Sequence, residues 1–154
     1  MPIKSFQAAR QKLVPKRRKS LLVLDHMTRN LITFTKKQSI LEVMRTLIRK
    51  KISGGPVVDE LSRLIGVISE ADCIKHLSEG KYFNQPFFDR NVEDSMTAEV
   101  DVIEADKTIF DAATLFHKTN RRRFPVLDRG KLVGQISRQD VVKAALLLRS
   151  QRWR

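Results

Sequence analysis

Apolar residues recur at helical spacing twice along the chain. Ile40, Val43, Met44, Leu47 and Ile48 fall at i, i+3, i+4, i+7 and i+8, and Ile109, Ala112, Ala113 and Phe116 follow the same rhythm. Each set predicts an amphipathic helix with a stripe facing a core. Ser39 with Glu42, and Thr108 with Asp111, stand where capping boxes would start these helices. Gly54-Gly55-Pro56 is predicted to end the first one. Shorter apolar runs predict strands: 31-LITF-34 and 100-VDVI-103 ahead of the helices, then 57-VV-58 with 65-IGVI-68, and 126-VL-127 with 132-LVGQI-136. DELSR and Asp128-Arg129-Gly130-Lys131 supply the turns between the paired runs, and EADCIKHL and RQDVVKAALLLR predict closing helices.

The pattern is one unit written twice, in the order β-α-β-β-α. Asp25-His26-Met27-Thr28 corresponds to Asp94-Ser95-Met96-Thr97, 55-GPVVD-59 to 124-FPVLD-128, and 66-GVISEAD-72 to 134-GQISRQD-140. The expected organisation is a basic arm (1–20), unit 1 (21–78), an aromatic connector (79–91), unit 2 (92–148) and a basic tail (149–154). The class is α/β with α+β-type packing, helices lying on mixed sheet. A unit this short buries too little surface to be stable alone, so the two are expected to share one module.

Composition adds asymmetry of charge. The net charge is +13, and residues 1–20 hold seven Lys or Arg and no acid. The tail RSQRWR adds three Arg. Two readings stand for these ends: solvated tails, or contacts to a polyanion. The lone cysteine, Cys73, excludes an internal disulfide and reads as a small buried hydrophobe in a reducing, cytoplasmic setting. No run is long and apolar enough to predict a membrane span.

The three repeated motifs, in the same order twice, resemble the CBS domain, named after cystathionine β-synthase. They are Met27-Thr28 and Met96-Thr97; Pro56-Val57-Val58-Asp59 and Pro125-Val126-Leu127-Asp128; and Gly66, Ser69, Asp72 with Gly134, Ser137, Asp140. The resemblance covers about residues 21–148. It implies a tandem pair about a pseudo-twofold axis (a Bateman module), a homodimer, and a cleft for an adenosine-containing ligand such as AMP, ADP, ATP or S-adenosylmethionine. It also implies regulation of a partner, here an unidentified protein.

By that resemblance Asp72 with Ser69, and Asp140 with Ser137, would take ribose hydroxyls, since a carboxylate accepts from a diol. The same Ser-x-x-Asp spacing is also a helix cap with no ligand involved, and the two roles are compatible. Arg121, Arg122 and Arg123 would hold ligand phosphate, or simply favour a helix C-terminus. Ile32, Thr33, Val57, Ile68, Val126 and Ile136 are candidates for lining a cleft that takes adenine as well as for plain core. The first unit has Ile52-Ser53-Gly54-Gly55 in place of the arginines, and Val102 stands where unit 1 has Thr33, so the two sites are expected to be unequal.

Catalytic and metal signatures are missing from the sequence. His26, His76 and His117 are scattered, and the repeated serines lack a base. The chain therefore reads as a non-enzyme with no metal. The leading expectation is a stand-alone nucleotide sensor. An alternative is a nucleic-acid or polyanion binder using Lys16, Arg17, Arg18, Lys19, Arg152, Trp153 and Arg154 on a dimeric scaffold, Trp153 stacking on a base. A ligand-free protein-interaction module is the third.

Overall fold

Both amphipathic stretches are helices, and each starts at its predicted cap. The computed structural model describes residues 20–83 and 90–152. Helix α1 (Ile40–Lys50) opens with the Glu42 N–H donating to Ser39 Oγ at 3.2 Å. It closes earlier than predicted. Lys51 adopts a left-handed conformation and its N–H returns to the carbonyls of Leu47 and Ile48, so the helix is finished before the glycine pair. The glycines instead begin β1 (Gly54–Val58).

Strand β1 pairs antiparallel with β2 (Leu64–Ser69), which leads directly into α2 (Glu70–Phe83). In the second half β3 (Ile103–Glu104) precedes α3 (Ile109–Lys118), followed by β4 (Arg123–Asp128), β5 (Lys131–Ser137) and α4 (Arg138–Arg152). Strand β4 lies between β3, parallel, and β5, antiparallel. Both hairpins carry a register shift at the matching place, between Val57 and Val58 and between Val126 and Leu127.

Several sequence expectations change here. The strand predicted at 31–34 is reduced to a single parallel bridge, Phe34 to Val57, and the one predicted at 100–103 is confined to Ile103–Glu104. Only Phe34 and Ile103 turn fully into a core, so alternation ahead of each helix is too brief to hold a ladder. The stripe on each helix is narrower than its periodicity suggests, for Ile48 is 80% exposed and Ala113 is exposed. Helix α2 continues past residue 78 and α4 past residue 148, so the first part of the predicted connector and of the tail is helical.

At the start of α3 the Thr108 N–H donates to Asp111 Oδ2 at 2.9 Å and the Asp111 N–H donates to Thr108 Oγ1 at 3.2 Å. The backbone and then the hydroxyl donor of Thr108 hold the Asp111 carboxyl below its usual value. This contribution to stability is complete at neutral pH and is lost as pH falls through that lowered value.

The two cores are completed crosswise. At the start of unit 1, Val23–Asp25, the chain makes a 3₁₀ turn, yet Val23 and Met27 are buried with Ile103, Phe124 and Ile136 of unit 2. Around Val92–Asp94 the equivalent turn buries Val92 with Phe34, Val57 and Ile68 of unit 1, and Met96 packs against it. Backbone hydrogen bonds repeat the exchange. Thr28 and Gln135 bond each other in both directions at 2.8 and 2.9 Å, as do Val67 and Thr97, both at 2.9 Å. This reciprocity makes the repeats one module with an approximate twofold relation.

Cys73 is 3% exposed in the unit 1 core, and burial first, then the nearby Asp72 and Glu70 charges, push its thiol up. It is expected to react with an aromatic disulfide reagent at neutral pH about a hundredfold more slowly in the native than in the denatured protein. Equal rates would show that the core opens around it.

Candidate ligand cleft

Each β-hairpin delivers a serine to the N-terminus of the next helix. In unit 1, Ser69 N–H and Ser69 Oγ both donate to Asp72 Oδ2, at 2.8 and 2.9 Å. In unit 2, Ser137 N–H donates to Asp140 Oδ2 at 2.9 Å and Asp140 N–H donates to Ser137 Oγ at 3.2 Å. Both aspartates therefore cap their helices, where the helix dipole also favours a carboxylate. Capping uses one oxygen of Asp72. Its Oδ1 has no partner among the described residues.

Asp72 stands in the wall of a cleft of about 240 Å³ between the two units. Unit 1 contributes Ser53 just before β1 and Gly54 at its start, and Val67, Ile68 and Ser69 from β2. Unit 2 contributes Thr97, Glu99, Val100 and Asp101 from the segment before β3, and Arg121, Arg122 and Arg123 from the run that enters β4. The exchange of leading turns is what brings Thr97 and the residues after it alongside β2.

The predicted residues separate into groups. Ser69, Asp72, Ile68 and the three arginines are brought together in this wall. Asp140 and Ser137 form the matching box outside it. Val57, Val126 and Ile136 are fully buried in the two cores and do not reach the cleft, because they occupy the hairpin positions that face inward. Ile32 is half-buried against the unit 1 core and Thr33 is exposed, both outside this wall. The basic residues Lys16, Arg17, Arg18 and Lys19, together with Trp153 and Arg154, lie outside the described residues. So do Phe87 and Phe88 of the connector.

The arginines differ in their engagements. Arg121 Nε donates to Asp101 Oδ2 at 3.1 Å, an ion pair in which both side chains are about half exposed. Arg123 reaches across the units, its Nη2 donating to Ser53 Oγ at 3.0 Å. Arg122 is exposed and its guanidinium has no partner among the described residues. Ser53 and Gly54 occupy in unit 1 the places of Arg122 and Arg123, so the positive wall exists on one side only.

Sequence reasoning missed Ser53, Thr97, Glu99 and Asp101 as wall residues. Thr97 was visible as half of a repeated Met-Thr pair. Periodicity carries no sign of the crosswise packing that aims it at the other unit.

Among the described residues there is no cluster of His, Cys, Asp or Glu suited to a metal ion. His26 Nε2 lies 2.7 Å from the Ser20 carbonyl oxygen, and His117 is exposed. No helix of the described residues is long and apolar enough to cross a membrane.

The CBS-domain family model matches residues 23–79 and 91–147. The chain belongs to the CBS-domain family. The Methanocaldococcus jannaschii protein MJ1426 is 29% identical over 155 residues, covering 82% of this chain and 92% of that one. Among solved structures, Arabidopsis thaliana CBSX2 in complex with AMP matches with a TM-score of 0.74 and 34% identity, over 84% of this chain and 99% of CBSX2. The CBS pair of MJ0100, in complex with 5′-methylthioadenosine and S-adenosyl-L-methionine, matches with a TM-score of 0.68 and 28% identity, over 85% and 98% of the two chains. The CBS pair described here is thus related to modules that hold adenosine compounds.

Proposed function

We propose that this CBS pair is a non-catalytic sensor that binds an adenosine-containing ligand in the inter-unit cleft and passes the change in shape to a protein partner. The observation that carries the reading is Asp72, which commits one carboxylate oxygen to its cap and lines a cleft with three arginines of the other unit in its wall. Asp72 Oδ1 takes the ribose hydroxyls, and Arg122, joined by Arg123, takes phosphate. AMP in CBSX2 and the two adenosyl compounds in MJ0100 support the same ligand class. Binding acts on the partner only if the ligand prefers one relative placement of the units, and Arg123–Ser53 is a contact between units that a phosphate would compete for. The test is calorimetric titration of AMP, ADP, ATP and S-adenosylmethionine into nucleotide-stripped protein. Saturable heat from at least one is expected; silence from all four in folded protein removes the reading.

The sensor also pairs with a second copy of itself. Ile48, Ile74, Phe110, Val142 and Leu146 are each at least 59% exposed and lie on the four long helices. Apolar surface spread over all four is expected to be covered in solution. Sedimentation at micromolar concentration is expected to give a dimer, with Ile48→Glu and Leu146→Glu together giving a monomer. A monomer from the natural sequence would refute the pairing.

A further inference from the structure

The cleft wall holds as many carboxylates as guanidiniums. Arg121, Arg122 and Arg123 share it with Asp72, Glu99 and Asp101. The charges do not simply cancel, because their engagements differ. Asp72 is engaged through Oδ2 in the cap of α2, where Ser69 donates to it twice. Arg121 is already neutralised by Asp101 at 3.1 Å. Among the described residues the Arg123 guanidinium is held by the neutral Ser53 hydroxyl alone, which a phosphate oxygen would replace with a stronger, charge-assisted bond. Two guanidiniums, Arg122 and Arg123, are thus free to meet a ligand, and they match the charge of one terminal phosphate.

We propose that the cleft selects an adenosine ligand bearing a single phosphate, and that Glu99 and Asp101 are the residues that reject longer phosphate chains. The inference rests on the adenosine reading of the cleft and adds its specificity. A second or third phosphate must either lie beside the Glu99 and Asp101 carboxylates or draw Arg121 away from Asp101. The latter leaves the Asp101 carboxylate uncompensated beside the new anion. Like charges repel, and although Glu99 is exposed and the Asp101 side chain about half exposed, the repulsion between neighbouring anions is only partly screened.

Competition calorimetry on the full-length, nucleotide-stripped protein, without divalent cations, tests this with adenosine, AMP, ADP and ATP as the probes. In the natural sequence AMP is expected to bind about tenfold more tightly than ATP, with ADP between them. In the Glu99→Gln, Asp101→Asn double variant ATP is expected to gain about tenfold while adenosine stays within about twofold. ATP binding as tightly as AMP in the natural sequence overturns the selectivity, and so does an AMP-to-ATP ratio that the double variant leaves unmoved. If none of the four probes binds, the selectivity falls, and the adenosine reading falls with it once S-adenosylmethionine is silent as well. The ratio in the natural sequence decides the matter even if the double variant does not fold.

Discussion

Gly134→Ala is expected to cost about 3 kcal/mol and to lower the melting temperature by roughly 10 °C. A Cβ at Gly134 would lie 2.6 Å from Met27 Sδ and 2.7 Å from the Thr28 carbonyl oxygen. The methionine can rotate aside, but the Thr28 carbonyl cannot, because Thr28 is bonded in both directions to Gln135. The clash must therefore be relieved by backbone movement that loosens the crosswise bridge. Gly66→Ala is expected to behave alike through Met96 Sδ at 2.8 Å and the Thr97 carbonyl at 2.9 Å, with a slightly smaller loss. Gly130→Ala is the control: its φ is +79° but a Cβ there meets nothing within 4 Å, so only the conformational cost remains, about 1 kcal/mol. Thermal melts of the three variants check this. A Gly134→Ala protein no less stable than Gly130→Ala would mean that the methionine–glycine contact does not hold the repeats together.

Asp72→Asn is expected to weaken adenosine-ligand binding by about ten- to a hundredfold, the loss of a charge-assisted hydrogen bond. The folded state should tolerate it, since the asparagine oxygen still accepts from Ser69 and the cap loses at most about 1 kcal/mol. Asp140→Asn removes the same charge from the same kind of cap but outside the cleft wall, so affinity should change by less than about threefold. The pair of variants separates capping from binding, because both caps change and only one site does. Titration with the tightest-binding ligand decides it. Equal affinity in Asp72→Asn and the natural protein, or a loss confined to Asp140→Asn, would move the site away from Asp72.

Local chemistry was readable in the sequence. Ser39, Thr108, Ser69 and Ser137 all cap helices as their spacing predicts, and the turn at Asp128–Lys131 has positive φ at Arg129 and Gly130, as a tight hairpin requires. The duplicated motifs gave the family and the order of elements. Less readable were features that depend on a distant neighbour. Ile48 fits the helix period yet faces outward, since spacing records a face and not what covers it. Val57 and Val126 looked equally suited to a cleft or a core, and only the packed hairpins place them in the cores. The two roles of Met27-Thr28 and Gly134 could be seen separately as repeats, but nothing in a linear pattern says that the first motif of one unit is answered by the third motif of the other. The same holds for Glu99 and Asp101, which are unremarkable acids until the exchange sets them opposite Asp72.

The crosswise turns also constrain how the polypeptide is made. Thr28 finds Gln135 only across almost the entire repeat array, and Val67 must wait for Thr97. During synthesis the first repeat emerges with its own core short of Val92, while Val23 and Met27, among the earliest described residues to appear, have no home until the last hairpin leaves the ribosome. The first repeat is therefore not a finished folding unit when its own last residue is added, and non-local closure of this kind slows folding and prolongs exposure of apolar surface. A translational pause placed between the repeats would lengthen the life of a half-built intermediate instead of helping it.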